Sequence, residues 1–373
     1  MQAGLTRLHL GASCAEKASV MENDVIEVRS GEQLDWAKVE QHLRAHIPGI
    51  GTGTLKVRQF PSGASNLTYL VRIGEWEGVL RRPPFGPVAP KAHDMQRESG
   101  LLERIYPVFP LAPRPYLFCN DLEIMGVPFY VMERRKGFVL NDTFPHGIEV
   151  TPELCRRLSE TVVDTLVEIH AIDWQAAGLA TFGHPAGFLE RQLTGWIERY
   201  NRSQTDESLD VTFLTRWLVE HIPTSPTPAL IHNDFKLNNI LLDAQDLARP
   251  VAVLDWEMTT IGDPLFDLAI SLCYWIQADD PTELRTILPT ITHQSGFISR
   301  TEFMERYAAK SGRDLSSMHF YLTFAYFKLS VILQQIYIRW LRGQTQDQRF
   351  AIFGSRIRTL INYATQLASQ GTL

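Results

Sequence analysis

The chain has 373 residues, enough for two domains or for one large two-lobed unit. Hydrophobic residues make up 45% of it and aromatic residues 10%, the composition of an ordinary globular protein that can bury a sizeable core. The net charge of −6 argues against general attraction to nucleic acid or to an anionic membrane, so we expect neither as a partner.

The cysteines are far apart and form neither a Cys-x-x-Cys pair nor a metal-ligand spacing. We therefore expect reduced thiols in a cytoplasmic protein. Residues 1–25 contain one apolar patch that is too short and too polar for a signal peptide, and they are predicted to form a loose tail. The cysteines are Cys14, Cys119, Cys155 and Cys273.

The first predicted element is a helix over residues 35–47, where apolar side chains recur at helical spacing. A glycine-rich stretch follows, with Gly49, Gly51 and Gly53 at alternating positions. These glycines do not fit G-x-G-x-x-G, and no strand–helix frame surrounds them. We interpret the stretch as a linker and not as a nucleotide loop.

Residues 26–136 are predicted to form a small N-lobe. Three alternating segments, LKVRQF, LTYLVRI and VLRR, indicate an antiparallel meander. A helix over 91–106 and a proline-rich extended connection follow, and EIMGVPFYVMERR is predicted to give two more strands across a turn at Gly126. The order β-β-β-α-β-β is typical of a small α+β lobe.

Residues 137–373 are predicted to form a mostly helical C-lobe. The sequence Thr151-Pro152-Glu153 is a helix start signal, and an apolar stripe continues from it to residue 169. The most apolar stretch, residues 320–340, contains Lys328, which a membrane-spanning helix tolerates poorly. We expect a buried core helix there.

Polar side chains flank two short hydrophobic segments in the middle of this lobe. Residues 231–239 read IHNDFKLNN, and residues 251–257 read VAVLDWE. Their apolar parts predict two short buried strands that pair across a turn, which would bring Asn239 beside Asp255. Asp234 and Asn239 are five residues apart, and on a loop this spacing can place both side chains at one point.

These residue types suit phosphoryl transfer. One carboxylate and one amide oxygen, together with phosphate oxygens, give Mg²⁺ the hard ligands that it prefers. A second carboxylate, Asp234, can orient a hydroxyl and accept its proton, and phosphoryl transfer needs little beyond positioning, metal charge and a base. Any one of these residues alone is more often a turn residue, so the joint pattern carries the prediction.

The pattern H-x-D-x-x-x-x-N, followed by D-W-E and GDPLFDLA, resembles the aminoglycoside phosphotransferase and choline kinase superfamily. The runs FPSGASNLTYLV and VLRRPP are similar to a subgroup related to the kinase-like domain fused to some acyl-CoA dehydrogenases. The resemblance covers roughly residues 50–340. It implies a two-lobed, protein-kinase-like α+β fold, with ATP and Mg²⁺ bound between the lobes.

The resemblance also implies roles for residues of the C-lobe. Asp234 would be the catalytic base, and Asn239 and Asp255 would be the metal ligands. His232 would organise the catalytic loop, and it is equally compatible with a hydrogen-bonded scaffold that has no chemistry of its own. Asp267, in the following helix, would brace the loop as structural support.

In the N-lobe, the turn between the first two strands is predicted to cover the triphosphate, although such turns are common in hairpins. The strand that links the lobes is expected to bind adenine through its backbone at Met132, Glu133 and Arg134, and Met132 is equally compatible with a core position. The residues of the predicted phosphate-covering turn are Ser62, Gly63, Ser65 and Asn66.

A cation on the third strand should contact the α- and β-phosphates. The family commonly has lysine there, whereas this chain offers Arg81 or Arg82. Strand alternation places Arg81 on the same face as Val79, so we select Arg81. Glu98, in the predicted helix, would pair with it, and the alternative for Glu98 is an exposed helix carboxylate.

The predicted function is ATP-dependent phosphorylation of a small hydroxyl compound, because no long activation segment separates DWE from GDP. Basic residues outnumber acidic ones after residue 302, which favours an anionic acceptor such as a hydroxy acid or a hydroxyacyl-CoA, although most are expected to be solvated. The alternatives are a catalytically silent nucleotide-binding regulator, an aminoglycoside-modifying kinase and a metal-dependent phosphoesterase. The basic residues are Arg306, Lys310, Arg313, Lys328, Arg339, Arg342, Arg349, Arg356 and Arg358.

Overall fold

Five strands form one antiparallel sheet, and they are β1 (Leu55–Gln59), β2 (Leu67–Ile73), β3 (Trp76–Arg82), β4 (Pro115–Cys119) and β5 (Phe129–Glu133). The structure, a computed structural model, describes residues 24–61, 66–86, 93–288, 290–345 and 347–370. The strand order is β1-β2-β3-β5-β4. One face is buried around Tyr69, Val71 and Leu80, as the period-two pattern predicts.

The fourth strand lies earlier in the chain than the sequence indicated. β4 lies in the proline-rich segment for which the sequence predicts an extended connection, whereas Leu122–Met125 forms one helical turn. The Asp121 carboxylate caps this turn by accepting the Glu123 N–H, and Gly126 ends it with a φ of 78°. The predicted strand at residues 123–125 is therefore wrong, because local capping outweighs the alternating pattern.

Helices make up most of the rest of the described chain. The predicted start at Thr151 is confirmed, since its hydroxyl accepts the Leu154 N–H at 3.1 Å. In chain order the helices are α1 (Trp36–His46), α2 (Met95–Ile105), α3 (Leu122–Met125), α4 (Pro152–His170), α5 (Phe188–Arg202), α6 (Thr212–Glu220), α7 (Pro264–Cys273), α8 (Thr282–Arg285), α9 (Arg300–Ser311), α10 (Met318–Leu341) and α11 (Phe353–Gln370).

Helix α10 lies in the middle of the C-lobe, and side chains on all its sides are buried. Its polar interruptions have partners: Lys328 Nζ lies 3.0 Å from Asn233 Oδ1, and Gln334 Nε2 donates to Ser203 O at 2.8 Å. None of the helices in the described ranges is long and apolar enough to cross a bilayer. The prediction of a buried core helix over 320–340 is thus confirmed.

Two short two-stranded antiparallel sheets lie among the helices, and the second is a hairpin of consecutive strands. β6 (Ala229–Ile231) pairs with β9 (Thr260–Gly262), and β7 (Ile240–Leu242) pairs with β8 (Pro250–Val253). The second pairing is the one that the sequence predicts, with Ile240 opposite Val253. It fixes the loop before β7 next to the residues that follow β8.

Two hydrophobic clusters build the interior. The smaller one joins α1 to the buried face of the sheet, through side chains such as Val39 and Leu43. The larger one fills the C-lobe and also includes Leu101, Leu102 and Ile105 of α2. Because α2 shares its core with the C-lobe, the predicted boundary between residues 136 and 137 stays a prediction.

Candidate active site

Asp267 of α7 holds the loop at residues 232–239, between β6 and β7, through hydrogen bonds to the loop backbone. Asp267 Oδ2 accepts the His232 backbone N–H and Oδ1 accepts that of Asn233, both at 2.7 Å. His170 Nε2 lies 3.1 Å from Asp267 Oδ2. Burial opposes ionisation, but the hydrogen bonds from His170 and the backbone hold the pKa of Asp267 below its ordinary value. The carboxylate therefore sets the direction of the loop.

The His232 side chain connects this loop to the end of β8. The imidazole is fully buried, and Nε2 donates to Leu254 O at 2.9 Å. Its Nδ1 has no hydrogen-bond partner within the described ranges. This placement is that of a scaffold group, because the ring does not line the cleft where a reacting hydroxyl would bind.

Asp234, Asn239 and Asp255 lie together, as the spacing predicts. Asn239 Nδ2 donates to Asp234 Oδ2 at 3.1 Å and to Asp234 O at 2.8 Å. The Leu254 N–H donates to Asn239 O at 2.8 Å, which places the loop beside Asp255. Lys236 Nζ lies 2.9 Å from both carboxylate oxygens of Asp234. One amide and two carboxylates therefore face the same cavity.

This set of oxygen donors fits magnesium. Mg²⁺ keeps several waters and phosphate oxygens and needs only one or two protein carboxylates, which Asn239 and Asp255 with a bound triphosphate would satisfy. In the described part of the chain there is no cluster of three or more His, Cys, Asp or Glu side chains that could hold a metal.

Arg81 and Glu98 form a buried ion pair next to Asp255. Arg81 Nη1 lies 2.5 Å from Glu98 Oε1, and Nη2 lies 3.3 Å from Asp255 Oδ1. Burial raises the pKa of Glu98 to about 7, opposed by the positive charge of Arg81. Arg82 is on the opposite face, where Nε donates to Pro83 O and the guanidinium stacks 4.0 Å from the Phe85 ring. Of the two arginines, only Arg81 lines the cleft.

Of the residues in the predicted phosphate-covering turn, the structure describes Asn66. Ser62, Gly63 and Ser65 lie outside the described residues. Asn66 Nδ2 donates to Glu257 Oε2 at 2.7 Å, and the same carboxylate oxygen lies 3.9 Å from Arg81 Nη2. Glu257 is thus a site residue that sequence reasoning missed, and the only signal was its place directly after Asp255-Trp256.

The strand that links the lobes forms one wall of the cavity. Met132, Glu133 and Arg134 all line it. The Glu133 N–H donates to Arg114 O at 2.7 Å, so a hydrogen bond to adenine would fall to its carbonyl or to a neighbouring peptide. The Arg134 guanidinium lies 5.0 Å from the centre of the Phe60 ring. Phe60 also lines the cavity, and a flat aromatic surface suits a purine base.

The cavity has a volume of about 910 Å³ and extends past Asp234 toward α5, α7 and α10. The lining residues in that direction include Lys236, Tyr274 and Trp196, for which the sequence predicts no role. Lys328 also lines it, and burial lowers the pKa of this lysine to about 8. Lys236 could have been found, since it lies two residues after Asp234, whereas the others come from distant helices.

A family model described as the phosphotransferase enzyme family matches residues 56–314. The chain is 33% identical over 353 residues to acyl-CoA dehydrogenase family member 11 of Rattus norvegicus, and 31% identical over 357 residues to the Homo sapiens protein of that name. These matches cover 92% and 94% of this chain but 44% and 45% of the relatives. The chain thus spans less than half the length of the curated relatives that it matches.

Solved structures give the same result for the fold. A Ralstonia eutropha protein, provisionally assigned as an aminoglycoside phosphotransferase, superposes with a TM-score of 0.78 at 26% identity, covering 91% of this chain and 99% of that one. Choline kinase of Cryptosporidium parvum gives 0.60 at 14%, covering 90% and 97%, and this low identity supports the fold alone. The predicted resemblance and the two-lobed, protein-kinase-like α+β fold are confirmed.

Proposed function

This chain belongs to the phosphotransferase enzyme family, and we propose that it transfers the γ-phosphate of ATP to a hydroxyl group of a small molecule. One observation carries the proposal: Asp234, Asn239, Asp255 and Arg81 line a single cavity between the lobes. A triphosphate that reaches Arg81 would bring its terminal phosphate toward Asp255 and Asp234. Phosphoryl transfer requires this positioning, together with charge stabilisation and a base.

Each side chain has a distinct role in the proposed reaction. Arg81, held by Glu98, binds the α- and β-phosphates, and its forked guanidinium suits phosphate oxygens. Asn239 and Asp255 hold Mg²⁺, which when bound neutralises charge on the phosphates and aligns them for transfer. Asp234 orients the acceptor hydroxyl and accepts its proton as the oxygen attacks phosphorus. Asp267 and His232 keep the loop in place without touching the reacting atoms.

Lys236 adds a condition to this scheme. Its ammonium lies 2.9 Å from both oxygens of Asp234, so the carboxylate is already paired before an acceptor binds. A carboxylate can accept about four hydrogen bonds, so the acceptor hydroxyl must share Asp234 with Lys236. A γ-phosphate would provide the competing negative charge, and Lys236 would then stabilise the transferring group.

We further propose that the acceptor is anionic, a hydroxy acid or a hydroxyacyl-CoA. Of the basic side chains after residue 302, Arg306 and Lys310 pair with Asp164 outside the cleft, whereas Lys328 lines it. Together with Lys236, it makes the acceptor side of the cavity basic. An aminoglycoside is a polycation and would need several carboxylates there, so the aminoglycoside-modifying alternative is less favoured.

The decisive experiment replaces Asp234 by asparagine. We expect Asp234→Asn to lower kcat by about 10²- to 10⁴-fold, the usual contribution of a general base, while Mg-ATP still binds. Phosphorylation of a panel of hydroxy acids, acyl-CoAs and aminoglycosides measures the first effect, and thermal shift with Mg-ATP measures the second. Turnover at the parent rate in this variant would show that Asp234 is not the base.

The same assays test the silent nucleotide-binding alternative. A catalytic protein shows a thermal shift with Mg-ATP and also a slow background hydrolysis of ATP that Asp234→Asn removes. A regulator without catalysis shows the shift alone. We expect hydrolysis, because the base, the metal ligands and the Arg81–Glu98 pair are all present.

A further inference from the structure

Lys328 is the basic side chain of α10 that lines the cleft, and it lies on the acceptor side of the cavity. Its residue is 5% exposed, and it contacts the 232–239 loop through the hydrogen bond between Nζ and Asn233 Oδ1 at 3.0 Å. Asn233 immediately precedes Asp234. The Lys328 amine therefore lies close to the proposed point of phosphoryl transfer, although Lys328 is 94 residues after Asp234 in the sequence.

The Lys328 amine has N–H donors that the described protein residues leave unused. An ammonium group has three N–H donors, and in the described part of the chain the Asn233 amide oxygen is its one hydrogen-bond partner. The charged groups that act on it are Asp234 and Asp267, which favour its protonation, and Lys236, which opposes it; the nearby Cys273 thiol also faces it. None of these carboxylates forms an ion pair with Lys328 in the structure, so the buried charge has no direct counterion.

The walls around the amine are apolar. The amine lies 5.6 Å from the centre of the Trp196 ring and 5.0 Å from that of Phe266. Trp196 from α5, Ile270 from α7 and Ile332 from α10 line the same cavity. We call the part of the cavity lined by Trp196, Ile270, Lys328 and Ile332 the acceptor chamber. It combines one cation with surfaces that favour hydrocarbon.

We propose that Lys328 binds a carboxyl-derived oxygen of the acceptor, a carboxylate or an acyl carbonyl, while the apolar walls bind the carbon chain between that oxygen and the phosphorylated hydroxyl. This inference rests on the proposed kinase function and on its proposed acceptor class, and it assigns the residue that recognises that class. The acceptor oxygen accepts from N–H donors of Lys328 that Asn233 does not use. An acceptor without such an oxygen displaces water from the amine without replacing the hydrogen bonds, which costs binding free energy.

The test compares three acceptors with the same carbon chain and hydroxyl: the free hydroxy acid, its thioester and the corresponding diol. The series is repeated with the chain between hydroxyl and carboxyl lengthened by one methylene at a time. Binding is measured by calorimetry and phosphorylation as kcat/KM, for the wild-type chain and for Lys328→Met and Lys328→Gln. Gln can still donate to Asn233, so it removes the charge and preserves the internal hydrogen bond.

We expect the wild-type chain to prefer the acid or the thioester over the diol, and both variants to lose about 10- to 100-fold of that preference, the usual range for a hydrogen bond to a charged group. The KM for ATP should change little. The acceptor class with the larger loss identifies the natural form, acid or thioester. Lys310→Met is the matched control, because this amine pairs with Asp164 at 2.7 Å outside the cavity, and it should leave the preference intact.

Three outcomes would overturn the inference: equal losses for acid, thioester and diol in both variants, a wild-type preference for the diol, or no binding of any acid or thioester. The first would mean that Lys328 only supports the loop through Asn233. Failure of the proposed function looks different. In that case no hydroxyl compound is phosphorylated and Asp234→Asn changes nothing, whereas failure of this inference alone leaves an Asp234-dependent kinase whose acceptor preference ignores Lys328.

Discussion

Two polar residues of the site have left-handed backbone conformations. Asn233 and Asp255 both have a φ of 65°, a region that costs most L-residues about 1–2 kcal/mol. Asn and Asp tolerate it best, because their short side chains form local hydrogen bonds. The residue types at positions 233 and 255 therefore suit the backbone conformation. Most other residues would be strained in these turns, which orient the two side chains.

The conformation of Asp255 allows its charge to be tested separately from its backbone. We expect Asp255→Asn to keep the fold and to raise the Mg²⁺ concentration needed for half-maximal activity at least about tenfold, since even outer partners of metal ligands contribute about 10- to 100-fold. Asp255→Ala should show the same loss and also a lower free energy of unfolding, by about 1–2 kcal/mol, because alanine is strained at positive φ.

Mg²⁺ titrations of activity and chemical denaturation measure the two effects. Asp173→Asn serves as the control for an Asp-to-Asn change. Asp173 is an exposed turn residue away from the cleft, and its carboxylate accepts the backbone N–H groups of Gln175 and Ala176. Unchanged Mg²⁺ dependence in Asp255→Asn would remove Asp255 from the metal site.

At the scale of elements, α2 is anchored to both lobes, because it packs against β4 and β5 of the sheet and is also hydrogen-bonded to the C-lobe. Arg97 Nη2 donates to Thr259 O at 2.6 Å and to Phe182 O at 3.0 Å, both in the C-lobe. The apolar side of α2 packs into the large C-lobe cluster. The helix that presents Glu98 to Arg81 is thus fixed to the lobe that contains Asp255.

We expect Arg97→Met to loosen this attachment. Thr259 O would lose the donor from Arg97, and Phe182 O would keep only the Thr260 hydroxyl, which should lower the free energy of unfolding by about 1–3 kcal/mol. Glu98 would then hold Arg81 less well, and the KM for ATP should rise several-fold with a smaller change in the KM for the acceptor.

Arg104→Met, on the same helix, is the matched control. The exposed Arg104 guanidinium lies 5.2 Å from the centre of the Phe182 ring, a contact that Arg97 also makes at 5.6 Å, but it donates to Gly100 O within its own helix and to neither C-lobe carbonyl. Its loss should therefore have little effect on the KM for ATP. An equal rise in both variants would show that α2 responds to any loss of charge and that the contacts of Arg97 have no special importance.

For the molecule as a whole, the cavity is formed by both lobes, and polar contacts cross it without a ligand. Arg81 reaches Asp255, and Asn66 reaches Glu257. Arg81 belongs to the sheet and Asn66 directly precedes β2, whereas both partners follow β8. A nucleotide in this cleft would contact both lobes at once, so its binding free energy stabilises the closed arrangement against unfolding of either lobe.

This arrangement predicts a large, metal-dependent stabilisation by nucleotide. At a free Mg-ATP concentration 100-fold above its Kd, the free energy of unfolding should rise by about 2.7 kcal/mol. Removing the metal with EDTA should abolish most of this gain, because the triphosphate then leaves Asp255 and Asp234 facing uncompensated negative charge. Thermal unfolding with ATP, Mg-ATP and Mg-ATP plus EDTA measures it. A shift that is the same with and without metal would contradict the proposed Mg²⁺ site.

Much of the site could be predicted because its geometry is local. Asp234 and Asn239 share one loop, the β7–β8 turn brings Asp255 to them, and strand alternation separates Arg81 from Arg82. These relations depend on backbone periodicity and short turns, which neighbouring residues determine. The position of β4 could not be predicted in this way, because pairing with β5 in the sheet and not local alternation made Pro115–Cys119 a strand.

The placement of Asp234, Asn239 and Asp255 in one cavity, and of Arg81 instead of Arg82 beside them, therefore follows from local sequence. The surroundings of the proposed acceptor depend on the packing of distant helices. Helix α10 is buried on all its sides, so no amphipathic stripe indicates which of its polar residues faces the cavity. Lys328 reaches Asn233, and Asn66 reaches Glu257, because whole helices and lobes pack in one orientation. Such contacts follow from the sum of many apolar interactions along the chain, and no short sequence pattern encodes them.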